Sequence, residues 1–372
     1  MNDYSNKMMI GAAIAILAIS STGCGVQPQT DRQVIDGNNK QITVLDGPVP
    51  GTDQSVAVEQ LQKVPGIRGM DWLDGDTVLA AKANTERTPQ VIEEKERYPV
   101  NLVSYTLTDG SETVLQPADQ DQHAGMLSPD KRFLFYKVME ESVGFGYLRD
   151  METGDIVPAT ERQTPDELIE GYEGEWLDSE HVLFPTMSGK IYTANIEGHT
   201  EMLADTGDLT IHDVHKIGDR LYYIGSGQQL FIQEGEEPAR LLMEQVIWVI
   251  PSPDHQSLAM VRRTREGEMT LYLTDLDGKD KAVLSKGMQI FGTAWSRDGT
   301  RLAYNLINAE NGTSGLYVAD AVTGKVTQVT VDLEDISNQL QWSPSGEQLM
   351  AATMVREGDG YEPVTYIIKL RS

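Results

Sequence analysis

The chain has 372 residues, with 57 acidic against 30 basic side chains, a formal net charge of −27 and a sequence pI near 4.5. That excess of acid excludes a nucleic-acid-binding body, which needs lysine and arginine gathered on one face, and electrostatic adhesion of the folded part to an anionic membrane. The one cysteine, Cys24, excludes an internal disulfide, and a chain this long buries a large core without one.

Residues Met1 to Lys7 are polar, Met8 to Ile19 are almost wholly apolar, and Ser20 to Gly23 are small. The apolar run is shorter than the ~20 residues of a spanning helix. It has the length and flanks of a secretory h-region before a cleavage site. Ser21 to Cys24 resembles the lipobox of bacterial lipoproteins, with Ser21 where that family usually has Leu. The resemblance implies a signal peptide over 1–23 and diacylglycerol, with or without an N-acyl chain, on Cys24. It also implies a place on the extracytoplasmic face of the cell membrane, held by lipid. Two acyl chains suffice for stable anchoring. No other cofactor is expected. Asp3 and Lys7 leave together, so the mature chain keeps its net charge.

Residues 24–53 are rich in Gln, Pro, Gly, Asn and Asp, a composition that buries little. They read as a flexible tether, with an r.m.s. span of roughly 30 Å if random coil. The remainder, 54–372, is repetitive. Trp295-Ser-Arg-Asp-Gly-Thr-Arg-Leu302-Ala-Tyr304 serves as the template, and related copies start at Trp72, Leu127, Trp176, Val214, Pro251 and Trp342. The mean period is about 45 residues, the span of a propeller blade. Each copy reads as strand, tight turn, strand, then a second Gly turn between two further strands. In Ser-Pro-Asp-Gly, Pro fixes φ, Asp caps its own backbone and Gly supplies φ > 0. Leu316-Tyr317-Val318 before Thr323-Gly324 shows the second half. Four antiparallel strands per copy make one blade.

The pattern Trp-Ser-Pro-Asp-Gly-x-x-Leu-Ala followed by Leu-Tyr-Val-x-Asp resembles the TolB-like (PD40) propeller repeat. Together with lipobox and tether, the layout resembles YqgU-type bacterial lipoproteins. The expected fold is an all-β, seven-bladed β-propeller. The degraded fourth copy leaves six blades open, and a strand group in the tether would make eight. The last copy lacks its outermost strand, which Val56 to Val64 can supply by pairing with Tyr366 to Leu370. Closure removes the free edges that invite aggregation, and a monomer is expected.

Strand alternation assigns the loops. The Ser-Pro-Asp-Gly and Thr-Gly turns share one rim, short and repetitive. The second-to-third strand connections and the inter-blade links share the other, whose variable loops suit binding on a rigid scaffold. Candidate binding residues there are Glu93, Glu94 and Glu96, and Arg262, Arg263 and Arg265.

Catalytic signatures are few. His212-Asp213-x-His215 is the one close histidine pair, and a metal role for His212 and His215 stays a minor candidate. Asp275 to Asp280 lacks the EF-hand spacing, because Lys279 stands where an oxygen ligand is needed. There is no Gly-x-Ser-x-Gly elbow. The expectation is therefore no catalytic residue and a propeller that binds a protein, peptide or glycan partner in the cell envelope. The alternative is a metal-dependent hydrolase or lyase with its site at the channel.

Overall fold

Each repeat folds as a four-stranded antiparallel meander, and seven such sheets stand in a ring in the computed structural model. The structure describes residues 32–37, 40–45, 56–92, 95–115, 117, 119–140, 143–160, 174–208, 211–308, 314–331, 339–357 and 360–371. No helix occurs among them. The blades' innermost strands are Arg68–Trp72, Gln122–Leu127, Glu175–Trp176, Asp213–Ile217, Val246–Pro251, Gln289–Trp295 and Gln341–Trp342, for blades 1 to 7 in order. The seven-bladed expectation holds, and the degraded fourth copy is a complete blade.

The turn chemistry explains the first hairpin of blades 2, 5 and 6. Ser128, Ser252 and Ser296 each donate a hydroxyl hydrogen bond of 2.6 Å to Asp130, Asp254 and Asp298. The same hydroxyl oxygens accept the amides of Phe133, Ser257 and Arg301, five residues on. The serine bond is the leading reason that these three carboxyls titrate below the usual range. In blades 2 and 6, Asp150 and Asp320 accept two amides each, and Gly154 (φ +81°) and Gly324 (φ +71°) complete the second turn. The two turns of a blade meet on one rim: Met151 donates its amide to the Arg132 carbonyl, and Ala321 to that of Thr300.

The core lies between the blades. Buried apolar side chains of adjoining sheets interdigitate, as where Phe135 of blade 2 stacks on Phe184 of blade 3 at 5.8 Å. Polar clasps recur at every seam. The indoles of Trp72, Trp176, Trp295 and Trp342 donate to the carbonyls of Gln341, Met126, Ile250 and Ala294, at 3.0–3.2 Å. Each acceptor immediately precedes the equivalent position of the preceding blade. Blades 2, 4 and 5 have no such Trp, and at their seams a carboxylate reaches forward instead. Asp71 accepts the Leu127 amide at 3.0 Å, Glu175 that of Lys216 at 2.8 Å, and Asp213 that of Val249 at 3.1 Å. Four indoles and three carboxylates thus clasp all seven seams.

The ring closes as the pattern predicts. Ala57–Pro65 forms the outer strand of blade 7, with Val58 opposite Leu370 and Lys63 opposite Tyr366. Within the expected tether, Arg32–Gly37 and Lys40–Leu45 pair antiparallel, and the second strand adds Thr330–Val331 to make a three-stranded sheet. This segment is therefore not coil throughout, and it builds no eighth blade. Cys24 and the expected signal peptide, residues 1–23, lie outside the described residues.

Candidate functional site

The loop rim follows from strand direction: inner strands leave it, second strands return to it, and the variable connections lie on it. The connection of blade 1 carries a small hairpin, Gln90–Ile92 paired with Lys95–Arg97. Glu96 is exposed on it, whereas Glu93 and Glu94 lie outside the described residues. The arginines belong to blade 5, across the ring. Arg262 stacks over Tyr272, 3.5 Å from the ring centroid, and pairs with Asp280 at 2.7 Å. Its guanidinium is engaged within the blade. Arg265 pairs with Glu268 at 2.8 Å, and Arg263 is half-buried. The candidate residues do not converge on one site. Sequence spacing placed them on a common rim but not on a common side of it.

The same rim shows features that loop reading missed. Among the described residues, the large apolar side chains exposed on the loop side are Val91, Met187, Trp248, Met288, Met354 and Tyr361; the outer strands expose Val114, Met202, Leu241 and Val283, and the turn rim Val322. Trp248 and Met288 come from blade 5 and its link, Met354 and Tyr361 from blade 7, and Val91 from blade 1. Five of the six thus follow an arc from blade 5 through blade 7 to blade 1, and Met187 stands apart on blade 3. Trp248 sits at a bulge in the inner strand, a device that re-aims side chains. A cleft of about 560 Å³ opens on this rim between blades 1 and 2. Its charged lining is mostly acidic, with Glu86, Asp119, Asp121 and Glu140 against Arg87. Burial raises the Asp121 pKa, but hydrogen bonds from His123 and the Val100 amide outweigh it and hold the carboxyl low.

The histidine pair separates. His212 is exposed, whereas His215 is largely buried on the inner strand of blade 4. Its Nδ1 lies 2.7 Å from Glu175 of blade 3, and its Nε2 lies 3.0 Å from Asp213. Burial pulls its pKa down, and the Asp213 and Glu175 carboxylates more than reverse this, leaving it well above the ordinary value. A protonated imidazole facing carboxylates through both nitrogens has no lone pair for a metal. Among the described residues, no three His, Cys, Asp or Glu side chains are grouped to hold a metal ion.

No protein-family model matches the chain. Among solved structures, an oligogalacturonate lyase in complex with manganese aligns over 92% of this chain and 96% of its own, with TM-score 0.63 and 13% identity. The oligogalacturonate lyase of Vibrio parahaemolyticus aligns over 91% and 96%, with TM-score 0.58 and 12% identity. TolB from Acinetobacter baumannii covers 81% of this chain and 66% of its own, with TM-score 0.49 and 15% identity. At 12–13% identity the two lyases attest the propeller and leave the chemistry of this chain open.

Proposed function

We propose that this protein is a lipid-anchored extracytoplasmic β-propeller, non-catalytic, that docks a protein partner of the cell envelope on its loop rim. The observation that carries the reading is the asymmetry of exposed apolar side chains. Trp, Tyr and Met are enriched where proteins meet, and Trp248, Tyr361 and three of the four exposed Met lie on the loop side while the turn rim offers Val322. The acidic cleft beside them suits a lysine or arginine side chain of that partner. The lipobox-like Ser21 to Cys24 supports the anchor. If Cys24 is the mature start, only eight peptide steps lead to Arg32, a reach of at most ~28 Å. The hairpin that follows joins the chain at Thr330–Val331, on the loop side between blades 6 and 7. That arrangement favours a partner at or near the membrane surface.

The test is photo-crosslinking in intact cells. A benzophenone side chain at position 361 is expected to give a discrete protein adduct, and one at position 322 none. Equal labelling from both positions, or none from 361, defeats the docking reading. Separately, Cys24→Ala is expected to release the protein from the membrane fraction. Retention there defeats the anchor.

The lyase reading draws on the fold of the two neighbours. His215, its most specific support here, is committed to Glu175 and Asp213, and no step is assigned through a metal.

A further inference from the structure

A second opening is on the other rim, where the turns of blades 6 and 7 and the end of the closing sheet frame about 600 Å³. We propose that this cleft binds a compact oxyanion carrying two or more negative charges, a phosphate or polycarboxylate group, gripped by Arg297, Arg301 and Arg371. All three line it.

The acids nearby are largely spoken for. Glu59 pairs with Lys369 at 3.0 Å. Asp298 is satisfied within its own turn by the Ser296 hydroxyl and by the amide and hydroxyl of Thr300. Glu347 is the remaining carboxylate. Arg301 lies within the field of Asp298 and Asp320. The guanidinium groups of Arg297 and Arg371 have no hydrogen-bond or ion-pair partner among the described residues. Two unpaired guanidinium forks, with a third arginine lining the same opening, suit the planar geometry of phosphate and carboxylate. In a chain of net charge −27, such a convergence runs against the overall field.

An independent observation comes from the repeat. In the serine-led turns, the residue after Ser128, Ser252 and Ser343 is Pro, whose fixed φ suits the turn. After Ser296 it is Arg297. The one copy that gives up the favoured residue does so at the cleft. Local departures from the consistent choice mark functional positions.

Calorimetric titration of the full chain in 0.15 M NaCl, with pyrophosphate, tricarballylate and neutral sucrose, tests the proposal. Saturable binding of at least one polyanion and none of sucrose is expected, and the two polyanions separate phosphate from carboxylate preference. Arg297→Pro restores the repeat's own turn, so its melting temperature should hold or rise while affinity falls at least tenfold. Arg371→Gln should weaken binding similarly. Absence of saturable polyanion binding overturns the proposal, as does wild-type affinity in a folded Arg297→Pro protein.

Discussion

His215 shows how one side chain can hold three blades. Its imidazolium lies between Glu175 and Asp213, and each carboxylate also accepts an amide of the next blade, Lys216 and Val249. Because the folded pKa is raised, this contribution is complete below the unfolded value of ~6.5. It fades as pH climbs through the folded value. His215→Gln should therefore narrow its stability deficit as pH rises from 6 to 10, measured as urea midpoints for both proteins. At pH 6 the loss should be on the order of 3 kcal/mol, the cost of removing one member of a buried ion pair. Glu175→Gln in the same background should recover part of it, since the amide oxygen still accepts from Lys216 while one repelling charge is gone. A deficit independent of pH would mean that His215 acts by packing alone.

At the scale of strands, the four Trp clasps and three carboxylate clasps divide one task. The carbonyl bond of each indole can be isolated by Trp342→Phe, which keeps most of the ring but loses the donation to Ala294. A loss of about 1 kcal/mol is expected for the bond itself, whereas Trp342→Ala should cost about 3–5 kcal/mol through the cavity. Equilibrium unfolding of the two variants checks the split. This division also explains what could be read beforehand. Trp72, Trp176, Trp295 and Trp342 repeat at blade spacing, so the period and their inter-blade placement were legible. Asp71, Glu175 and Asp213 join residues some 36–56 positions on, and nothing local distinguishes them from solvated acid. The fourth blade looked degraded because it lacks the seam Trp and because its first hairpin turns in two residues, Gly218-Asp219, in place of the serine-led turn. The hairpin at 32–45 did leave a trace: Val34-Ile35 and Ile42 to Val44 flank Gly37-Asn38-Asn39, a hairpin signature that the polar composition around it obscured. The rim cleft at Arg297 was hidden by the regularity of its turn, and Trp248, Met354 and Tyr361 by lying on strands that read as buried.

For the whole molecule, charge and closure set stability together. A net charge of −27 works against the compact state by self-repulsion, which salt screens as the Debye length falls from ~30 Å at 0.01 M to ~8 Å at 0.15 M. Melting temperature should rise across that range of NaCl, and calorimetry at fixed pH would detect it. Closure makes a sharper distinction between the two leading strand segments. Ala57–Pro65 lies in blade 7 itself: Val58 packs in the core there, and Gln62 donates its side-chain amide to the Leu107 carbonyl of blade 1. Gln62→Pro removes that bridge and the Gln62 backbone amide, which weakens the pairing of the outer strand with its neighbour. The blade 7 amides from Val364 to Arg371 should then lose hydrogen-exchange protection first. Deleting residues 32–45 removes two strands that belong to no blade and leaves Thr330–Val331 in place, so the seven blades and their clasps keep all their own strands. That deletion should leave the protection of blade 7 and the cooperativity of melting unchanged. If it instead opened blade 7 as Gln62→Pro does, the ring would depend on the hairpin, and closure by Ala57–Pro65 alone would be the wrong account of its stability.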